Sequence, residues 1–246
     1  MKKQKLLMLS MLFIMVYACA SNPNATQDTF KTRTGKKVVI TAIKHASIRI
    51  TYHGTEFEID PVGEMDPKTD YSKFPKADYI LITHEHFDHL DKAAIASLEK
   101  KGTVMIANKN SVDMLGKGKV MNNWDSLTLA KDITLKAVPA YNITPGHTQF
   151  HPQGRDNGYI LTLDGLRIYI AGDTEDINEM KDIHDIDIAF LPCNQPYTMT
   201  PEQVAKVARI IKPKVLFPYH YSSTKIEQVS QLLQGTHIDV RIRNYQ

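Results

Sequence analysis

Cysteine is scarce. The chain of 246 residues has two, Cys19 and Cys193, too few for a disulfide scaffold. Long apolar runs are scarce too. One exists, near the N-terminus, and its being alone excludes a multi-pass membrane protein. There is no tandem repeat of solenoid period and no low-complexity tract beyond a short polar stretch after residue 19. Charge of one sign is also lacking: Lys and Arg total 30 against 27 Asp and Glu. What remains is an ordinary globular composition, 42% hydrophobic and 23% charged with 12 Gly and 12 Pro. It excludes a disordered chain, a collagen-like chain and a coiled coil. A chain this long can bury a sizeable core.

The one apolar run is informative. Lys2, Lys3 and Lys5 precede a stretch from Leu6 to Ala20 broken only by Ser10. A spanning helix needs about 20 apolar residues, so a basic start and a short apolar run read as an export signal. The run ends Val16-Tyr17-Ala18-Cys19, and a polar stretch follows. This resembles a bacterial lipobox. The expected organisation is a signal peptide over 1–18, a lipidated Cys19 with a flexible tether over 19–36, and one domain over 37–246. The alternative is ordinary secretory cleavage after Ala20, since Ala18-Cys19-Ala20 has small residues in the required places. The lipoprotein reading predicts a cell-envelope protein held to a membrane, leaning to the outer membrane because Ala20 follows the cysteine. The alternative predicts a soluble secreted or periplasmic protein. Residues 1–18 carry three Lys and no acid, so the mature chain has 27 basic and 27 acidic residues. No net basic field points to a nucleic-acid partner.

Patterning along the domain predicts short strands at 37–43, 47–52 and 55–60, with His53-Gly54 as a hairpin turn. Tyr79–Thr83 is a continuous apolar run, expected to be buried on both faces. Asp91 caps a predicted helix over 92–101, and further strands are predicted at 103–107, 119–124, 126–129 and 132–139. The second half repeats the plan. Strands at 159–163 and 166–171 flank Asp164-Gly165, a hairpin signal. Strands at 187–191 and 215–218 alternate with helices over 201–211 and 226–233, and 239–243 is a last strand. Thr200-Pro201-Glu202-Gln203 starts the first of these helices with an N-cap, a proline and a capping Gln. The expectation is an α/β chain of two similar β-rich halves packed sheet to sheet, with helices outside.

The chemistry concentrates in Thr83-His84-Glu85-His86-Phe87-Asp88-His89-Leu90. Three His and one Asp fall within six residues, directly after a buried strand and before a helix. Imidazoles and carboxylates are ligands for zinc and its neighbours, and one catalytic zinc needs only three of them. The surplus suggests two ions. Asp173 in Gly172-Asp173-Thr174 and His220 in Tyr219-His220-Tyr221 also follow predicted strands. Taken alone, each is an ordinary turn Asp or structural His.

Taken in order, His84-x-His86-x-Asp88-His89, a later His, Gly172-Asp173 and His220 resemble the metallo-β-lactamase fold. The likeness covers nearly all of the chain from Lys37. Leu90, Ile59-Asp60-Pro61, Gly172-Asp173-Thr174, Thr198–Glu202 and Tyr219-His220-Tyr221 are similar to the branch holding L-ascorbate-6-phosphate lactonase and the N-acylphosphatidylethanolamine-hydrolysing phospholipase D. The resemblance implies a four-layer αββα sandwich with a two-metal site at one edge. It assigns His84 and His86 to the first ion, Asp88, His89 and His220 to the second, and Asp173 to both. The first ion's third imidazole is expected from His151 in Phe150-His151-Pro152, with His147 in Pro145-Gly146-His147-Thr148 the alternative. Asp88 and Asp173 are expected to be catalytic as well as ligating. Asn142, His147 and Tyr197 are expected against substrate. Tyr141, Arg155 and Asn194 lie in the same loops, and His45 and Asp60 near the site's edge.

The implied activity is hydrolysis by a metal-bridged hydroxide of an ester, lactone, phosphodiester or amide, on a small molecule or lipid headgroup. The ions are expected to be zinc, with manganese or iron also compatible. The alternative is a metal-binding envelope lipoprotein without turnover.

Overall fold

The computed structural model describes residues 27–245. The proposed leader, Cys19 and the first part of the tether lie outside these residues. In chain order the elements are β1 (Gln27–Lys31), β2 (Lys37–Lys44), β3 (Ser47–Tyr52), β4 (Thr55–Ile59), β5 (Tyr79–Ile82), α1 (Lys92–Leu98), β6 (Val104–Ala107), α2 (Lys109–Leu115) and β7 (Lys119–Val120). They continue as β8 (Ser126–Ala130), β9 (Ile133–Ala140), β10 (Asp156–Leu163), β11 (Leu166–Ile170), β12 (Ile188–Pro192), α3 (Pro201–Ile211), β13 (Val215–Tyr219), α4 (Glu227–Leu232) and β14 (Asp239–Val240).

The strands form two seven-stranded sheets, β1 to β7 in one and β8 to β14 in the other, each in sequence order. In each sheet the first four strands run antiparallel and the rest are added in parallel. The two halves are therefore one plan used twice. Alternation explains the layering. In β5, Leu81 points into the core between the sheets, while Ile80 and Ile82 point outward onto Ala94, Ile95 and Leu98 of α1. On the second half, α3 buries Val204, Ala205, Val207, Ala208 and Ile211. Its start is capped as the sequence predicts, by Thr200 and Gln203 in a reciprocal box. These are the four layers of the expected sandwich.

The tether expectation needs correction. The sequence predicts a flexible stretch over 19–36, yet Gln27–Lys31 pairs along its whole length with β2. Asp28 anchors it, accepting from Arg243 at 2.7 and 2.8 Å and from Arg241 at 2.8 Å. The folded unit starts by Gln27, not Lys37. Helix α2 was not foreseen, and the strand predicted over 119–124 is confined to Lys119–Val120. Asn122-Asn123 fold into a turn instead, where Asn122 N–H donates to Asp125.

Candidate metal centre

Parallel strands present their C-terminal ends at one edge, and the site is built there. β4 ends at Asp60, β5 at the His84–His89 loop and β6 at Asn108. In the second half β11 leads to Gly172-Asp173 and β13 to His220. The loop from β9 to β10 brings in His151.

Three groups of donors result, each with its ligand atoms within 4.8 Å of one another: His84, His86 and His151; His84, His89 and Asp173; and His45, Asp88, His89 and His220. Asp173 stands between the outer two. Its Oδ2 lies 3.4 Å from His151 Nε2 and 3.2 Å from His220 Nε2, and its Oδ1 lies 3.4 Å from His89 Nε2. His84, His89, His151, Asp173 and His220 are all at most 2% exposed. Yet His84 Nε2, His89 Nε2, His220 Nε2 and Asp173 Oδ1 are buried without a hydrogen-bond partner. Orphaned polar atoms are costly unless something else satisfies them. Here they converge, and they are imidazole nitrogens and a carboxylate, which fits divalent ions.

The opposite nitrogens of His84, His89 and His151 are held, whereas His220 Nδ1 is also buried without a hydrogen-bond partner. Asp60 lies 2.9 Å from His89 Nδ1, Thr83 Oγ1 is 3.0 Å from His84 Nδ1, and Asp156 is 3.1 Å from His151 Nδ1. Such pairing fixes ring orientation and leaves the far nitrogen as donor. Asp60 also accepts from Thr83 N–H at 2.8 Å and Thr83 O–H at 2.7 Å. Asp156 is gripped by Arg155, with Nε at 2.7 Å, and by Asn108 at 3.3 Å. Arg155 also reaches within 3.4 Å of His86 Nε2.

The charge state follows from burial and neighbours. Burial holds the His84 and His86 imidazoles below their ordinary pKa. Burial opposes charge on His89 and His220 too, but the surrounding carboxylates, Asp173 first, with Asp60 and Asp88 at His89 and Asp88 at His220, together outweigh it and raise both, His220 to about 9. Burial would raise Asp173 and Asp88, but their histidine partners hold both below the usual carboxylate range. The cluster thus balances its two carboxylates with protons that a divalent ion would displace.

Other expected residues sit farther out. His147 is apart from all three donor groups, its Nδ1 3.2 Å from the buried carboxylate of Glu175. Asn142 is 2% exposed, and its amide donates to the Tyr197 carbonyl at 2.8 Å and the His147 carbonyl at 3.4 Å. It ties two loops together, so its amide N–H groups are taken up within the protein. Tyr197 is exposed, edge-on to Phe150 with centroids 4.9 Å apart. The Tyr141 hydroxyl donates to Glu179, and the Asn194 amide to Ser222. Thr83, at the head of the histidine-rich string, supports the ligands, as do Asp156 and Asn108, which no sequence motif marks. Asp156 had a faint signal in its place five residues after His151; Asn108 had none. Beside the group of His45, Asp88, His89 and His220 a cleft of about 410 Å³ is lined by Lys44, His45, Met65, Asp66, Pro67, Tyr221, Ser222 and Tyr245.

Comparison with known proteins establishes the family. Residues 39–220 match the β-lactamase superfamily domain. A UPF0173 metal-dependent hydrolase of Ligilactobacillus salivarius is 34% identical over 194 residues, covering 72% of this chain and 86% of that protein. The crystal structure of a Parabacteroides distasonis protein described as a metal-dependent hydrolase is 57% identical, with a TM-score of 0.86 over 89% of this chain and 98% of that one. The metallo hydrolase Igni18 of Ignicoccus hospitalis superposes with a TM-score of 0.70 at 25% identity, over 84% of this chain and 95% of that one. The chain belongs to the β-lactamase superfamily and, within it, to the UPF0173 metal-dependent hydrolases.

Proposed function

We propose that the protein is a binuclear metal-dependent hydrolase cleaving an ester, lactone, phosphodiester or amide. The observation that carries this reading is the set of buried, unpartnered donor atoms on His84, His89, His220 and Asp173. His84, His86 and His151 would hold the first ion, and Asp88, His89 and His220 the second, with Asp173 between them. When bound, two divalent ions supply a water of near-neutral pKa and a Lewis acid for the developing oxyanion.

The chain's own residues do the rest. Asp88 and Asp173 place negative charge beside the ions and limit the net charge of the site. Asp60, Thr83 and Asp156 orient the His89, His84 and His151 imidazoles before any ion arrives, which limits the rearrangement needed there. A thiol route is disfavoured: Cys193 is 0% exposed, and burial pushes its thiol up to about 12. A donor set without thiolate suits zinc, and equally manganese or iron. Zinc is the proposed occupant.

The substrate is proposed to be a small molecule or a lipid headgroup. Support comes from the cleft, which offers the aromatic side chains Tyr221 and Tyr245 beside both charges, Lys44 and Asp66. The resemblance to the lactonase and phospholipase D branch points the same way. The mature chain would hold this site in the cell envelope, tethered through lipid on Cys19. Labelled fatty acid should enter the wild type and not Cys19→Ser. An unlabelled, soluble mature chain would establish the secretory alternative.

The deciding experiment loads the purified protein with zinc, measures ions per chain, and assays a generic phosphodiester and a generic lactone. Close to two ions and turnover of either are expected. His86→Ala and His220→Ala should each lower metal content and abolish hydrolysis. Bound metal with no turnover of any ester, lactone, phosphodiester or amide would favour a binding protein without catalysis.

A further inference from the structure

The repeated plan of the two halves places His45 where its counterpart in the second half is a candidate ligand. β2 and β3 are the second and third strands of the first sheet, and β9 and β10 hold the same places in the second. The β9–β10 loop carries His151, which stands with His84 and His86. The β2–β3 turn carries His45, which stands with Asp88, His89 and His220. Each half thus sends one histidine from its second hairpin to a different donor group.

The local geometry is specific. His45 Nε2 is 3.0 Å from Asp88 Oδ2, and the His45 and His220 rings are 3.8 Å apart between centroids. His220 Nε2 is 3.7 Å from the same Asp88 oxygen. Donors around one ion with bonds of about 2.1 Å stand roughly 3–3.5 Å apart; the His45–Asp88 spacing falls there, and the ligand atoms of all four residues lie within 4.8 Å of one another. The backbone is left-handed at both: φ is 48° at His45, in the β2–β3 hairpin turn, and 50° at His220. The His220 N–H donates to the His45 carbonyl at 3.1 Å, which locks one bend against the other.

We propose that His45 Nε2 is a further ligand of the second ion. The proposal rests on the two-metal reading above. It gives the second ion five protein donors, His45, Asp88, His89, Asp173 and His220, against four for the first. Five donors exceed a tetrahedral set, so the second ion would be five-coordinate, a number that zinc, manganese and iron(II) each accept.

The test strips the protein with chelator and titrates it with cobalt(II), whose visible absorption strengthens as coordination number falls. Wild type should bind two cobalt ions. His45→Ala should weaken one of the two by roughly tenfold to a hundredfold, leave the other unchanged, and intensify the visible band. His45→Gln can still hydrogen-bond Asp88, so it separates ligation from positioning. It should behave as His45→Ala does. If His45→Gln, or His45→Ala, keeps wild-type affinity and spectrum, His45 is not a ligand and the proposal falls while the two-metal reading stands. If wild type itself binds fewer than two ions, the two-metal reading falls and takes the proposal with it.

Discussion

Asp60 Oδ2 stands 2.9 Å from His89 Nδ1, with both side chains shut away from solvent. The carboxylate sits at the end of β4 with φ at 45°, a bend that aims it beneath the metal-binding loop. It holds Thr83 through two further hydrogen bonds and so sets the start of that loop. Asp60→Asn keeps the shape and removes the charge. We expect affinity at the second site to fall by about tenfold to a hundredfold, read by chelator competition, with the fold retained. Asp60→Ala should also lower Tm, because the Thr83 groups lose their partner in a dry environment.

His151 and His147 should separate cleanly. His151 stands among His84 and His86 with Asp156 behind it, while His147 is engaged by Glu175. His151→Ala should lose one ion per chain by elemental analysis. His147→Ala should keep both and alter mainly KM, because the residue is only partly buried and lies on the loop at the site's rim. The reverse pattern would make Pro145-Gly146-His147-Thr148 the ligand motif.

Without metal, stability should fall as pH rises from about 6.5 to 9. His220 has its pKa raised from 6.5 to about 9, and His89 is raised as well. A raised histidine contributes stability fully below its unfolded pKa and loses it as pH climbs through the folded one. Asp88 and Asp173 are depressed, so their contribution is lost only in acid, well below this window. Metal must displace the same protons, so its affinity should rise over the window in which the stripped protein weakens. Thermal unfolding with chelator and with zinc, at pH 6.5 and 9, should show a larger metal-induced gain in Tm at the higher pH.

The fold and the donor groups were legible because their signals are local. Tyr79–Thr83 reads as buried because its apolar run is continuous, and the His84–His89 loop reads as a site because its donors are adjacent. What escaped depends on distant chain. β1 is mostly polar, and its alternating pattern hides two inward residues. Phe30 packs edge-on to Phe217, with centroids 6.3 Å apart, and Asp28 meets Arg243, which is 215 positions away. No window of sequence shows a partner that far. Asn108 escaped for a similar reason, since it supports His151 only through Asp156.

That anchor gives a fourth expectation. Asp28 and Arg243 are 8% and 6% exposed, so removing the carboxylate strands a nearly buried guanidinium. Asp28→Ala should cost about 3 kcal/mol in chemical denaturation. Metal content should be unchanged, because this pair joins β1 to the residues after β14 and touches no candidate ligand.

Gly172 is where backbone constraint and metal binding meet. Its φ is +66°, and a Cβ there would lie 2.7 Å from the Asn157 carbonyl oxygen and 3.2 Å from Thr83 Cβ. Neither neighbour can yield cheaply. Asn157 N–H donates to the Thr83 carbonyl across the two halves at 3.1 Å, and Thr83 is fixed by Asp60. Asp173 follows directly, so any shift displaces the carboxylate that lies between the two donor groups. Gly116 is the comparison. Its φ is +67° with nothing within 4 Å of the added carbon, so Gly116→Ala isolates the left-handed strain, about 1 kcal/mol. Gly172→Ala should cost at least about 1–2 kcal/mol more, because overpacking is added to strain. It should also weaken both ions in a chelator titration, while Gly116→Ala leaves both at wild-type affinity. Equal stability and equal metal binding in the two variants would mean that the strand-end backbone yields, and that Asp173 is not held in place by the close approach at Gly172.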